Sequence, residues 1–228
     1  MKTIGIIGGL GPPSTVKYYE WLTQGVQQAL GGQNSARIIL TSLNGEDIKN
    51  LRLAGDREAE GAFYAREALR LQQAGADFIL IASNTSHKNA PAIEQAISIP
   101  LLHLADATAA HVRAQGVTSV GLLGTAPTME EDFYTSRLRA QGLHVITPDA
   151  PDRAFVSAAI YDEMVKGIVR PEVNAAFIDI IAKLEQAGAQ GVILGCTELT
   201  LLDLSALTLP LFDTVKIHVA AALKEALG

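Results

Sequence analysis

A single cysteine, Cys196, occurs in 228 residues, so the chain can close no disulfide on itself and a disulfide-stapled scaffold is excluded. Basic residues are also scarce: 18 Lys and Arg against 24 Asp and Glu leave a net charge of −6. Nucleic-acid and anionic-membrane partners, which require a basic face, are therefore not expected. No stretch approaches the roughly 20 apolar residues of a spanning helix. The apolar run Ile4–Ile7 is broken by Gly8 and Gly9, too early for the core of a signal peptide, and the cytoplasm is the expected location. Aromatic residues make up only 5 %, but hydrophobic residues reach 48 %. That is enough for one large domain or two compact lobes.

What is present is an alternation of apolar runs with amphipathic stretches, which predicts parallel sheets covered by helices. Strands are expected at Thr3–Ile7, Arg37–Leu43, Phe78–Ala82, Thr118–Leu123, His144–Thr147 and Gly191–Leu194. Helices are expected at Ser14–Ala29, Glu58–Ala74, Ala105–Ala114, Glu130–Gln141, Val173–Ala187 and Val215–Leu227. Pro12 and Pro13 suit a helix start, and Gly75 a helix end.

The pattern repeats. Gln73-Ala74-Gly75-Ala76 returns as Gln186-Ala187-Gly188-Ala189, the strand end at Gly8 returns at Gly124, and Pro100-Leu101-Leu102-His103 resembles Pro210-Leu211-Phe212-Asp213. Three echoes in the same order and at nearly one spacing indicate a duplication. The expected fold is α/β: two pseudo-symmetric doubly wound lobes, each with a mainly parallel sheet flanked by helices. The first lobe is expected at 1–98 plus 210–228 and the second at 99–209, with the active site in the cleft between them.

Ligands of open α/β sheets bind beyond the carboxyl ends of the strands. The repeat sets Ser83, Asn84 and Thr85 opposite Cys196, Thr197 and Glu198, each triplet directly after an apolar strand. Gly9, Gly11, Thr125 and Thr128 follow the other strand ends, where backbone N–H groups at helix starts favour anions. The pattern therefore predicts a small-carboxylate site with one thiol, whose pKa nearby helix N-termini would lower. A lone cysteine is usually core filling; here Gly195 and the polar pair Thr197-Glu198 flank it. A dinucleotide site is rejected: from Gly9 and Gly11 the fingerprint needs glycine at position 14, which is Ser14, and the second strand ends in Ser42-Leu43-Asn44 with no ribose-binding acid. The chain lacks Gly-Lys-Ser/Thr for a P-loop. None of the five histidines falls in ligand spacing with Cys196, so no metal is expected. His87 alone lies near a strand end, as a polar helix-start residue or a functional one.

The ordered motifs Gly8-Gly9-Leu10-Gly11-Pro12, Ser83-Asn84-Thr85-Ser86-His87, Gly124-Thr125-Ala126-Pro127-Thr128-Met129 and Gly195-Cys196-Thr197-Glu198 resemble the aspartate/glutamate racemase family over essentially the whole chain. The Gly-Cys-Thr-Glu ending is closest to the aspartate racemase branch. The resemblance implies an isomerase that needs no cofactor, PLP included, acting on a small acidic amino acid, aspartate before glutamate, and a homodimer. It implies that Cys196 is an acid/base at Cα and that Asn84, Thr85, Thr125, Thr128 and Thr197 hold the α-carboxylate and amine. Lys166 matches a lysine that holds the side-chain carboxylate. The family's other side-chain anchor is an arginine after the second strand, for which Arg52 is the nearest candidate. The sequence departs from the family at Ser83, where a first cysteine is usual. A serine is a far poorer base than a thiolate, so asymmetric action on the two enantiomers is expected. A single-cysteine decarboxylase or isomerase of the same superfamily, or a degenerate carboxylate-binding protein, are the competing expectations.

Overall fold

The computed structural model describes all 228 residues. In chain order the elements of the first half are β1 (Ile4–Gly8), α1 (Pro12–Leu30), β2 (Ile38–Ser42), α2 (Gly45–Leu53), α3 (Arg57–Gln73), β3 (Phe78–Ile81), a 3₁₀ helix at Thr85–Asn89, α4 (Ala90–Ala96) and α5 (Leu104–Ala114). The second half contains β4 (Ser119–Gly124), α6 (Ala126–Glu130), α7 (Asp132–Ala140), β5 (His144–Ile146), α8 (Ala150–Asp162) and a 3₁₀ turn at Met164–Lys166. It continues with α9 (Pro171–Gln186), β6 (Val192–Gly195), a 3₁₀ helix at Thr197–Leu201, β7 (Leu211–Asp213) and α10 (Thr214–Leu227).

The chain divides into two compact units, Met1–Leu104 with His218–Gly228, and Ala105–Ile217. In the first unit the sheet order is β2-β1-β3, all parallel, and Leu101 adds a single parallel bridge to Ile79. In the second the order is β5-β4-β6-β7, again all parallel. Two boundaries differ from expectation, and strand pairing gives the reason. Residues 99–104, expected in the second lobe, stay with the first because Ile79 N–H donates to Pro100 O and Leu102 N–H to Ile79 O. Residues 210–217, expected in the first lobe, begin with β7, which pairs with β6.

The duplication is visible bond by bond. Ile79 N–H donates to Pro100 O at 2.9 Å, and Val192 N–H to Pro210 O at 2.8 Å. After α3 and α9 the chain turns at Gly75 (φ +98) and Gly188 (φ +99). Such backbone suits glycine, which has no Cβ. Ala76 and Ala189 then each return an N–H to a helix carbonyl at 3.0 Å.

Strands of parallel sheets that are covered on both faces read as unbroken apolar runs. β1, β3 and β6 are buried at every position, whereas edge strand β2 has none fully buried. One core gathers Ile7, Tyr64, Leu71, Ile79 and Ile93 in the first unit. Another gathers Leu123, Ile160, Phe177, Ile181 and Leu194 in the second. No helix is long and apolar enough to cross a membrane.

Candidate active site

In each unit the expected residues gather at the carboxyl ends of two adjacent strands. In the first, the Gly9–Gly11 loop follows β1, and Ser83, Asn84 and Thr85 follow β3, paired to it through Ile7 and Ile81. In the second, Thr125 and Thr128 follow β4, and Cys196, Thr197 and Glu198 follow β6, paired through Gly124 and Gly195. Lys166 ends the short 3₁₀ turn that packs against Thr197–Leu201. It is exposed, and its charge helps lower the Glu163 carboxyl, chiefly held down by Arg170.

The glycine loop offers fewer anion donors than its composition implies. Gly9 lies at φ +79, and a Cβ there would stand 2.3 Å from Leu43 O, so only glycine fits. Its N–H donates to Thr15 Oγ1 at 3.0 Å. Pro12 and Pro13 occupy the first turn of α1 and bring no N–H. Gly11 is extended and partly exposed, and Ser14 Oγ donates to Ala82 O at 3.4 Å. On the other unit, Thr125 and Thr128 are buried with their hydroxyls 3.1 Å apart.

Cys196 has extended backbone just before the 3₁₀ helix and remains partly exposed. Its Sγ–H donates to Glu198 Oε2 at 3.0 Å, and Thr197 Oγ1 donates to the same oxygen at 2.7 Å. The expectation of a lowered thiol pKa is overturned. Burial, then the charge of Glu198, then the hydrogen bond to it push the thiol well above its ordinary range, outweighing the N–H groups of Glu198 and Thr197. The resting residue is a thiol with a carboxylate within reach of its proton.

The Ser83 corner is built from donors. Ser86 N–H and Oγ–H donate to Ser83 Oγ at 3.4 and 3.1 Å. Ser86 Oγ in turn accepts from Tyr64 OH at 2.9 Å and Arg52 Nη2 at 3.1 Å. Arg52 Nε and Lys88 Nζ pair with opposite oxygens of Glu60 at 3.1 and 2.9 Å, and Asn89 Nδ2 adds a bond at 3.3 Å. Burial raises the Glu60 pKa, but the hydrogen bonds and charges of Lys88 and Arg52 outweigh it, and the carboxyl is held below its ordinary value. His87 Nε2 accepts from Leu104 N–H at 3.2 Å, so its Nδ1 carries the proton and donates to Ser83 O at 2.7 Å. His87 thus fixes the Ser83 backbone.

Sequence reasoning assigned no role to Ser86, Tyr64, Glu60 or Lys88. One signal was available: Ser83 lies three residues before Ser86, a spacing at which a serine hydroxyl accepts from the later residue's N–H. Arg52, weighed as a substrate anchor, instead bridges Glu60 and Ser86.

Parallel sheets with chemistry-bearing residues at repeated strand ends define an α/β enzyme of duplicated design. The chain belongs to the Asp/Glu/Hydantoin racemase family, which it matches over residues 7–222, and it is accordingly an isomerase. It is similar to the crystal structure of a candidate Asp/Glu racemase from Yersinia pestis, at 44 % identity and TM-score 0.96, with all of both chains covered. It is also similar to that of an aspartate racemase homologue from Pyrococcus horikoshii OT3, at 30 % identity and TM-score 0.88, again over all of both chains. The broad specificity amino-acid racemase RacX of Bacillus subtilis (strain 168) is 26 % identical over 219 residues, 92 % of each chain.

Proposed function

We propose that this isomerase racemises an acidic amino acid, aspartate in preference to glutamate, by moving a proton at Cα without a cofactor. Cys196 works on one face and Ser83 on the other. The observation that carries the reading is the Cys196–Glu198 contact. A thiol must lose its proton before it can take one from Cα, and Glu198 Oε2, 3.0 Å from Sγ, is placed to accept it. Burial that raises the thiol pKa also raises the basicity of the thiolate once formed. Asn84, Thr85, Thr125, Thr128 and Thr197 are proposed to hold the α-carboxylate and amine, where hydroxyl and amide dipoles stabilise the charge that grows as the carbanion forms. Lys166 is proposed to meet the side-chain carboxylate. The chain would act as a homodimer, as the family resemblance implies, and in the cytoplasm, the location expected from the sequence.

The test is incubation with L- or D-aspartate in D2O without added cofactor, following Cα–H by NMR beside chiral analysis. Exchange that disappears in Cys196→Ala is expected. Exchange with neither aspartate nor glutamate by folded protein would reject the reading.

A further inference from the structure

We infer that Ser86, held by Tyr64 and Arg52, is a positioning residue that turns Ser83 into a dedicated proton donor. The inference rests on the racemase reading above and specifies how its serine face works.

The hydrogen-bond directions are fixed by counting. A hydroxyl has one proton and two acceptor positions. Arg52 can only donate, and it reaches both Ser86 Oγ and the Tyr64 oxygen. Tyr64, buried to 0 % exposure with its pKa raised by burial to about 12, remains a phenol and gives its proton to Ser86 Oγ at 2.9 Å. Both acceptor positions of Ser86 are then filled, and its own proton must go to Ser83 Oγ, 3.1 Å away. Ser86 is itself 0 % exposed, so water does not compete for these bonds.

Ser83 Oγ therefore receives two hydrogen bonds, from Ser86 Oγ–H and N–H, and its own proton is left to point elsewhere. Bonds donated to an oxygen stabilise its anion. The nearby charges act in the same sense, because Arg52 and Lys88 together outnumber the single Glu60 carboxylate between them. This is an arrangement for releasing a proton, and it disfavours Ser83 as a base. In the step proposed, the Ser83 Oγ–H bond breaks as the new Cα–H bond forms, leaving an alkoxide that Ser86 stabilises. After product leaves, the alkoxide takes a proton from water, and the proton first removed from Cα returns to water from the Cys196 side.

The experiment separates exchange from inversion. Cα–H exchange with D2O on one face requires only the thiol, whereas inversion also requires the serine. In Ser86→Ala, inversion of aspartate is expected to fall about tenfold or more while exchange falls much less, and Ser86→Thr, which restores the hydroxyl, should recover inversion. Tyr64→Phe removes one donor to Ser86 and should reproduce the same split more weakly, which guards against misfolding of Ser86→Ala. Inversion that survives both substitutions, or inversion and exchange that fall together in folded Tyr64→Phe, would overturn the inference while leaving the racemase reading intact. A wild-type protein that neither exchanges nor inverts aspartate or glutamate would reject that reading, and the inference with it.

Discussion

The two strand-end corners match across the repeat yet surround their proposed reactive atoms with opposite chemistry. After β6 the thiol of Cys196 faces an acceptor, the Glu198 carboxylate, which also takes the hydroxyl of Thr197. After β3 the hydroxyl of Ser83 faces donors, backed by Arg52 and Lys88. In each case the next turn is a five-residue 3₁₀ helix, so the backbone frame is shared and the side chains alone make the difference. On the proposed mechanism, the difference assigns one proton-transfer direction to each half of a duplicated fold. A partner that accepts makes a thiol available as a base, and partners that donate make a hydroxyl available as an acid.

The largest effect should come from removing the acceptor. Glu198→Gln takes away the negative charge that ranks next to burial in raising the Cys196 thiol, and leaves an amide that cannot take its proton. Thiolate absorbance should then appear at lower pH than in the wild type. Exchange at Cα should nevertheless fall about a hundredfold, the scale of a lost general base. If the thiolate titrates as before, the carboxylate does not govern the thiol.

Much of this architecture was legible in the residues. The unbroken apolar runs of β1, β3, β4 and β6 announced buried parallel strands, and the repeat put Ser83 and Cys196 at corresponding strand ends. Three helices were not read, among them α4, which is only seven residues long. α2 buries only Ile48 among its nine residues, and α8 is rich in alanine with little contrast between its faces, so neither shows an apolar stripe. The single helix expected at Glu130–Gln141 is broken at Glu131, whose extended backbone separates α6 from α7. The donor network of Arg52, Glu60, Tyr64, Ser86 and Lys88 is gathered from α2, α3 and the 3₁₀ helix by tertiary packing, which no local spacing reveals. The thiol shift was misjudged because burial, and then the Glu198 side chain folded back onto Sγ, raise the thiol more than the N–H groups of a five-residue 3₁₀ helix lower it.

Acidification should disturb the first unit through His218, which lies behind the serine corner. His218 is fully buried; its Nε2–H donates to Leu102 O at 2.8 Å and its Nδ1 accepts from Tyr18 OH at 2.7 Å. Its ring lies 5.8 Å from that of His87, the residue that fixes the Ser83 carbonyl. Burial lowers the His218 pKa from 6.5 to about 4. The unfolded chain therefore binds this proton first as pH falls, so the stabilisation is complete above pH 6.5 and is lost progressively down to about pH 4. The loss should total about 3 kcal/mol. Urea unfolding at several pH values should show the slope in the wild type and a flatter one in His218→Gln; equal slopes would remove His218 as its source.

A thiol in the donor corner sharpens the comparison further. Ser83→Cys restores the residue usual in the family while keeping Ser86 as its donor. A thiolate is the stronger base, so exchange of the slower aspartate enantiomer should rise about tenfold, with the faster one little changed. An unchanged enantiomer ratio would show that the serine is not what makes the two directions unequal.

The smallest effect expected is at Lys166, which belongs to neither of the proposed proton paths. Its ammonium is exposed at the end of the 164–166 turn, beside the 197–201 helix, and the neighbouring Arg170–Glu163 pair is exposed enough to add little to stability. Lys166→Ala should leave folding unchanged. If the lysine meets the side-chain carboxylate of aspartate, KM for aspartate should rise several-fold with kcat nearly constant, because a contact made equally in ground and transition states changes binding alone. Binding of asparagine, which lacks that carboxylate, should not change, and the ratio of the two affinities is the decisive measurement. Equal weakening of both ligands would mean that Lys166 shapes the turn, and that selection of an acidic substrate resides elsewhere in the two corners.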